Sequence, residues 1–197
     1  MTNESIQLIG CGVLRREVAW LVAKNRWCVE MEFLDSALHI DFDRLGETLS
    51  SAVARHTGKV TVVVYGACHP EMAKFLGNNG TYRLPGQNCV EMLLGEPAFT
   101  EELAQGAFFL LEDWALRWEE IITKTFGTNW DIVRDIFQGD RKYLLCLRTP
   151  CAGDFQAAAE EAGRTVGLPV RWRDVSLDRL ETVLSDALMR GQGGRHV

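Results

Sequence analysis

The run Val60-Thr61-Val62-Val63-Val64-Tyr65 and the five residues that follow it, Gly66-Ala67-Cys68-His69-Pro70, decide the fold of this chain. Apart from Thr61 the run is apolar, and it is rich in β-branched side chains. That pattern is typical of a strand buried on both faces of a parallel sheet. Pro70 suits the first turn of a helix. The stretch therefore predicts a strand, a short loop that carries Cys68, and a short helix.

The same alternation of short apolar runs and helical stretches continues in both directions along the chain. The predicted strands are Ser5–Ile9, Cys28–Leu34, Val60–Tyr65, Thr81–Leu84, Ala107–Leu111, Tyr143–Leu147 and Val170–Val175. The predicted helices are Val13–Lys24, Asp41–Ala54, Cys89–Leu94, Thr100–Gln105, Trp114–Thr125, Ile132–Phe137, Asp154–Val166 and Leu177–Met189, and Gly77–Gly80 is predicted as a loop. Regular alternation of this kind predicts an α/β fold, a mostly parallel sheet flanked by helices in Rossmann-like layers. We expect one domain over residues 1–190 and a flexible, glycine-rich tail over 191–197.

The composition bounds the class of protein. Of the 197 residues, 47% are apolar and 24% charged, which is ordinary for a globular chain. The formal net charge of −6 argues against nucleic acid or an anionic membrane as the main partner. No apolar run approaches the roughly 20 residues that span a bilayer, and the start of the chain lacks a signal-like segment. We expect a cytoplasmic protein whose six cysteines are reduced thiols.

Three of the cysteines share one local setting. Cys11 follows the first predicted strand, Cys68 follows Val60–Tyr65, and Cys89 follows Thr81–Leu84 after a short turn. The carboxyl ends of parallel strands lie along one edge of a sheet, so these three side chains are expected to converge. Each one also opens a helix, where free N–H groups favour a thiolate.

Other side chains are candidates for the same edge. His69 lies beside Cys68, and His39 follows the strand Cys28–Leu34, so either is a candidate additional ligand or proton donor. Cys151 follows Tyr143–Leu147 and is a candidate fourth thiol. Cys28 and Cys146 lie inside predicted strands and are expected to be buried core thiols.

Three thiolates predict a metal site formed by Cys11, Cys68 and Cys89. They suit an iron–sulfur cluster, most favourably [4Fe–4S], with zinc as the alternative, and they leave one coordination position open for a small-molecule substrate or cofactor. Two other interpretations stay open. The cysteines could line a small-molecule pocket without metal, or Cys68 could be a nucleophile with His69 nearby. The sequence does not decide whether the protein is an enzyme.

Five blocks of sequence resemble domain-of-unknown-function family 1638. They are Leu8-Ile9-Gly10-Cys11-Gly12-Val13-Leu14, Phe33-Leu34-Asp35 with Leu38-His39, Val64-Tyr65-Gly66-Ala67-Cys68, Leu84-Pro85-Gly86-Gln87-Asn88-Cys89-Val90 with Leu94-Gly95, and Phe108-Phe109-Leu110-Leu111-Glu112-Asp113-Trp114. The resemblance spans about residues 6–185, and the spacing of the three cysteines is its most specific part. His69-Pro70-Glu71 departs from the Gly-Asn-Gly that the family pattern has after the second cysteine, and Asn88 departs from its Asp.

The resemblance implies an intracellular α/β protein whose three cysteines suit a metal or an iron–sulfur cluster. It also implies a link to corrinoid-dependent methyl transfer, with a corrinoid or methyltransferase protein as a partner, but it fixes no reaction.

Overall fold

The computed structural model of the chain describes residues 5–76 and 80–193. Gly77, Asn78 and Asn79 of the predicted loop lie outside the described residues, as do residues 194–197 of the predicted tail. The chain divides into two compact units. The first contains the residues up to Leu93 together with those from Leu177 onward, and the second is the continuous segment Leu94–Ser176.

The first unit is built on a four-stranded parallel sheet in the order β2-β1-β3-β4. Its strands are β1 (Ile6–Cys11), β2 (Val29–Leu34), β3 (Thr61–Val64) and β4 (Thr81–Arg83), and its helices are α1 (Arg15–Asn25), α2 (Phe42–Arg55), α3 (Met72–Phe75), α4 (Cys89–Leu94) and α10 (Asp178–Gly193). Short 3-10 turns follow β1 at Gly12–Leu14 and β2 at Ser36–Ile40. The two central strands β1 and β3 are buried along their whole length, because helices cover both faces of a parallel sheet.

Helix α10 returns from the end of the described chain to complete this unit. It packs against β3 and β4, and a Cβ atom added at Gly191 would lie 2.6 Å from Val60 Cγ1. The carboxylate of Glu181 accepts hydrogen bonds from Lys24 Nζ and Asn25 Nδ2 at the end of α1, both at 2.7 Å. The first sheet is therefore covered in part by residues from the far end of the sequence.

The second unit is built on a three-stranded parallel sheet in the order β5-β6-β7. Its strands are β5 (Ala107–Leu110), β6 (Tyr143–Arg148) and β7 (Val170–Asp174), and its helices are α5 (Glu96–Ala104), α6 (Glu112–Leu116), α7 (Trp118–Phe126), α8 (Trp130–Asp140) and α9 (Gln156–Val166). Its hydrophobic core includes Leu110, Trp118, Phe137, Leu144 and Cys146, all within this unit.

The predicted α/β class and its parallel sheets are confirmed, and some details differ. The strands form two sheets in two compact units, while the single domain expected over residues 1–190 stays a prediction. The predicted helix Trp114–Thr125 is two helices, because the backbone of Arg117 leaves the helical region between them. Residues 191–193 of the predicted tail belong to α10. No helix within residues 5–76 and 80–193 is both long and apolar enough to cross a membrane.

Candidate functional site

Three strand ends of the first sheet bring Cys11, Cys68 and Cys89 together. Cys11 is the last residue of β1, and the preceding Gly10 pairs with Val64 at the end of β3. Cys68 lies in the loop after β3, and Cys89 is the first residue of α4, after β4 and a tight turn. The structure thus places the three predicted thiols in one neighbourhood, called here the three-cysteine site. Their role as metal ligands stays a prediction.

Glycine makes the close approach of two of these loops possible. Gly66 packs directly on the backbone of Gln87 and Asn88, immediately before Cys89, and a Cβ atom at position 66 would overlap those atoms. Arg83 Nη1 donates to the carbonyl oxygens of Tyr65 at 3.3 Å and Gly86 at 3.2 Å. The loop that carries Cys68 and the turn that carries Cys89 are therefore held against each other by backbone contact and by one guanidinium.

The start of α4 is capped by side chains. Asn88 Oδ1 accepts from the backbone N–H of Glu91 at 3.0 Å, and Glu91 Oε2 accepts in return from the backbone N–H of Gln87 at 3.0 Å. This reciprocal pattern resembles a capping box, which satisfies N–H groups that a helix leaves free at its first turn. The cap fixes the position of Cys89 at the first residue of the helix.

Two thiols of the site, those of Cys11 and Cys89, are buried, and the pKa values of Cys68 and Cys89 are raised. Cys11 is 5% exposed and Cys89 8%. A hydrogen bond with Cys11 and burial raise the pKa of Cys89, and burial and the charge of Cys11 raise the pKa of Cys68. This direction is opposite to the expected bias of Cys68 and Cys89 toward thiolate. Cys68 lies in the loop before α3, which has four residues, and α4 has six, so the dipoles of these helices are small beside the cost of desolvating a thiolate.

Tyr65 completes the neighbourhood, and sequence reasoning missed it. Its side chain is 2% exposed, and its hydroxyl makes no hydrogen bond of standard geometry within the described residues. Burial, the charges of Cys11, Cys89 and Cys68 and a contact of the hydroxyl with the Cys11 thiol raise its pKa. A thiol is a weak acceptor, so the hydroxyl has a poor partner for a buried group. The available signal was a single polar atom at the end of an otherwise apolar strand pattern, directly before the glycine of the Cys68 loop.

The two candidate histidines are held by local hydrogen bonds. His69 Nδ1 accepts from the backbone N–H of Glu71 at 2.9 Å, and its ring contacts those of Phe42 and Phe75 edge-on, with centroids 5.7 and 4.5 Å away. His39 Nδ1 lies 2.8 Å from the carbonyl oxygen of Ser36, and burial lowers its pKa. A neutral imidazole whose Nδ1 is fixed by a carbonyl presents Nε2 to a ligand, as metal-binding histidines do.

The interpretation of Cys68 as a nucleophile receives no support from these contacts. Its raised pKa is opposite to the lowered pKa that activates a catalytic thiol. His69 Nδ1, moreover, is engaged by Glu71.

The remaining cysteines lie on other elements of the structure. Cys151 follows β6 of the second sheet, so the reason for placing it on the same sheet edge as Cys11 is wrong. Cys28 precedes β2 and is exposed, and the expectation that it is a buried strand residue is wrong. Cys146 is confirmed as a core thiol of β6; it is fully buried, and burial raises its pKa to about 12.

The donor chemistry of the three-cysteine site fits a thiophilic metal or an iron–sulfur cluster. No group of three or more His, Cys, Asp or Glu side chains in the described parts of the chain stands in the geometry of a ready-made metal site. The site does offer three thiols from one sheet edge and the buried hydroxyl of Tyr65, which makes no hydrogen bond of standard geometry in the described residues. Binding would replace the thiol protons, because thiolates are the form that ligates metals.

Comparison with known proteins gives one match. A family model described as "Protein of unknown function (DUF1638)" matches residues 33–184. No curated protein and no solved structure matches the chain. The matched segment includes Cys68 and Cys89 and begins after Cys11.

Proposed function

The chain belongs to the DUF1638 family, and from this premise we propose that it is a cytoplasmic metal- or iron–sulfur-binding protein. Cys11, Cys68 and Cys89 are the proposed protein ligands. The observation that carries the proposal is the convergence of three thiols from three separate strand ends, two of them buried, on one place beside Tyr65. Buried cysteines that serve only to fill a core have no need to converge from separate loops.

A [4Fe–4S] cluster is the preferred occupant. Structural zinc sites have four protein ligands, whereas three thiolates leave one metal position open. In a cluster, the iron without a protein ligand is a Lewis acid at which a substrate or cofactor can dock. Zinc with three thiolates and an exogenous fourth ligand is the alternative within the same proposal.

The proposed partner is the molecule that binds at the metal position without a protein ligand. A small-molecule substrate or cofactor fits an open iron, and the family resemblance adds a corrinoid or a methyltransferase protein to this proposal.

The first prediction concerns the ligands. After anaerobic reconstitution with ferrous iron and sulfide, we expect about three to four iron atoms per chain and visible charge-transfer absorption. Single substitution of Cys11, Cys68 or Cys89 by Ser should remove most of the iron, because a site with only three thiolates does not hold its metal after it loses one of them. Metal analysis with a parallel zinc arm provides the measurement.

Cys28→Ser is the matched control, because Cys28 is an exposed thiol outside the site; it should retain full iron content. Equal iron content in Cys68→Ser and Cys28→Ser would contradict the ligand assignment. A folded wild-type protein that stays colourless and free of metal in both arms would favour the small-molecule pocket instead.

The second prediction concerns the fourth position. His69→Ala, His39→Ala and Cys151→Ala should each keep at least most of the wild-type metal content, since the proposed site is open. The two imidazoles are already held by local contacts, and Cys151 follows a strand of the other sheet. Iron analysis of the three variants side by side tests this, and full loss in any one of them would show a closed site with four protein ligands.

A further inference from the structure

The hydroxyl of Tyr65 is the most unusual polar atom in the described chain near the three-cysteine site. The side chain is 2% exposed, yet the hydroxyl makes no hydrogen bond of standard geometry there. Buried phenols usually have a partner. Tyr143 shows the ordinary case, because it is 1% exposed and its hydroxyl donates to Glu102 Oε2 at 2.7 Å.

The backbone around Tyr65 is held on both sides. Before it, Val64 pairs with Gly10 of β1. Its own carbonyl oxygen accepts from Arg83, and after it Gly66 packs on the backbone of residues 87 and 88. The position of the ring is thus set by the same contacts that bring the cysteine loops together.

We propose that Tyr65 is a positioning residue of the three-cysteine site, whose hydroxyl donates a hydrogen bond to a sulfur atom of the metal-loaded site. This inference rests on the proposed function. The thiol of Cys11 lies within hydrogen-bonding reach of the phenol, and Cys68 and Cys89 lie close enough to affect it. Once these thiols are bound to metal as thiolates, their sulfur atoms are stronger acceptors. Hydrogen bonds to sulfur are one means by which a protein tunes a cluster.

The Tyr65 hydroxyl has different surroundings in the metal-free and in the metal-loaded protein. Without metal the hydroxyl faces the neutral thiol of Cys11, which is a weak acceptor, so replacing the hydroxyl with hydrogen costs little. With metal it has a stronger acceptor, so the same replacement weakens the loaded state. Because a ligand that binds the native state stabilises it, the loss is measured as a smaller rise in melting temperature on loading.

The experiment compares wild type, Tyr65→Phe and the control Tyr143→Phe. Each is melted without metal, after reconstitution with ferrous iron and sulfide, and after addition of Zn²⁺. We expect metal-free Tyr65→Phe to melt at or above the wild-type temperature. Its melting temperature should rise less than that of wild type when metal is loaded, and the loaded variant should lose iron faster to a chelator. Metal-free Tyr143→Phe should melt at a lower temperature than wild type, because it loses a hydrogen bond. Its melting temperature should rise as much as that of wild type when metal is loaded.

The melting temperatures distinguish a failure of the Tyr65 role from a failure of the proposed function. Equal gains on loading in wild type and Tyr65→Phe would overturn the role of Tyr65 and leave the proposed function standing. A lower metal-free melting temperature in Tyr65→Phe together with an equal gain would assign the hydroxyl to packing and also overturn it. No gain in wild type with either probe would overturn the proposed function, and the inference with it.

Discussion

A methyl group at position 66 has no space, because the backbone atoms of Gln87 and Asn88 already occupy the place of a Cβ atom. Backbone cannot move aside as a flexible side chain can. The loop of Cys68 and the turn of Cys89 would have to separate to admit it. At the scale of the residue, the three-cysteine site therefore depends as much on a missing side chain as on its thiols.

We predict that Gly66→Ala lowers the free energy of unfolding by about 1–3 kcal/mol or more, as overpacking does. It should also reduce iron content after reconstitution, because the two loops part. Denaturant unfolding and metal analysis are the measurements. Gly139→Ala is the control, since Gly139 lies in α8 with nothing near its Cβ position; it should be neutral or stabilising by up to about 1 kcal/mol. An equal response of both variants would contradict the overpacking argument.

At the scale of the element, the cap of α4 connects a sequence departure to the site. Asn88 stands where the family resemblance implies Asp, and its side chain accepts the N–H of Glu91. Asp accepts the same hydrogen bond and caps helices equally well. The departure is therefore conservative in structural terms.

We predict that Asn88→Ala lowers the free energy of unfolding by about 0.5–2 kcal/mol. It should also weaken metal retention, because Cys89 is the first residue of the helix. Asn88→Asp should keep both near the wild-type level. Thermal melts and chelator competition on the two variants test this, and a loss in Asn88→Asp as large as in Asn88→Ala would refute the capping role.

The helices and strands were largely predictable from the sequence, but the pairing of the strands was not. The apolar run Val60–Tyr65 contains β3, and Cys89–Leu94 is helical as predicted, because local patterning fixes strands and helices. Which strands pair depends on contacts between residues distant in sequence. The division of the strands into two sheets therefore could not be predicted from any local pattern. That division explains why three cysteines were placed correctly on one sheet edge and Cys151 was not.

The surroundings of single side chains were hidden for a similar reason. Cys28 has apolar neighbours in sequence but is exposed, just before the edge strand β2. The burial of the Tyr65 hydroxyl beside the Cys11 thiol is a contact between residues far apart in sequence, and no local residue pattern encodes it.

At the scale of the whole molecule, each unit has its own parallel sheet, and the core of the second unit lies entirely within residues 94–176. A segment with its own core is expected to fold alone. The three-cysteine site, by contrast, lies entirely in the first unit.

We predict that residues 94–176, produced alone, show a cooperative thermal transition by circular dichroism and bind no iron on reconstitution. Phe137→Ala within this fragment should cost about 3–5 kcal/mol, because Phe137 is 3% exposed in its core. A fragment without a cooperative transition would show that residues 94–176 need the rest of the chain to fold.

The return of α10 to the first sheet has a consequence during synthesis on the ribosome. The strands of the first sheet are made before residue 94, but the helix that packs on β3 and β4 is made only after residue 177. At roughly 5–20 residues per second, making the intervening segment takes on the order of ten seconds. For that interval the nascent chain has an uncovered apolar sheet face while its later segment can already fold. A chaperone that recognises apolar surface has this interval in which to bind, and it must release the face before Leu180 and Leu184 can be buried.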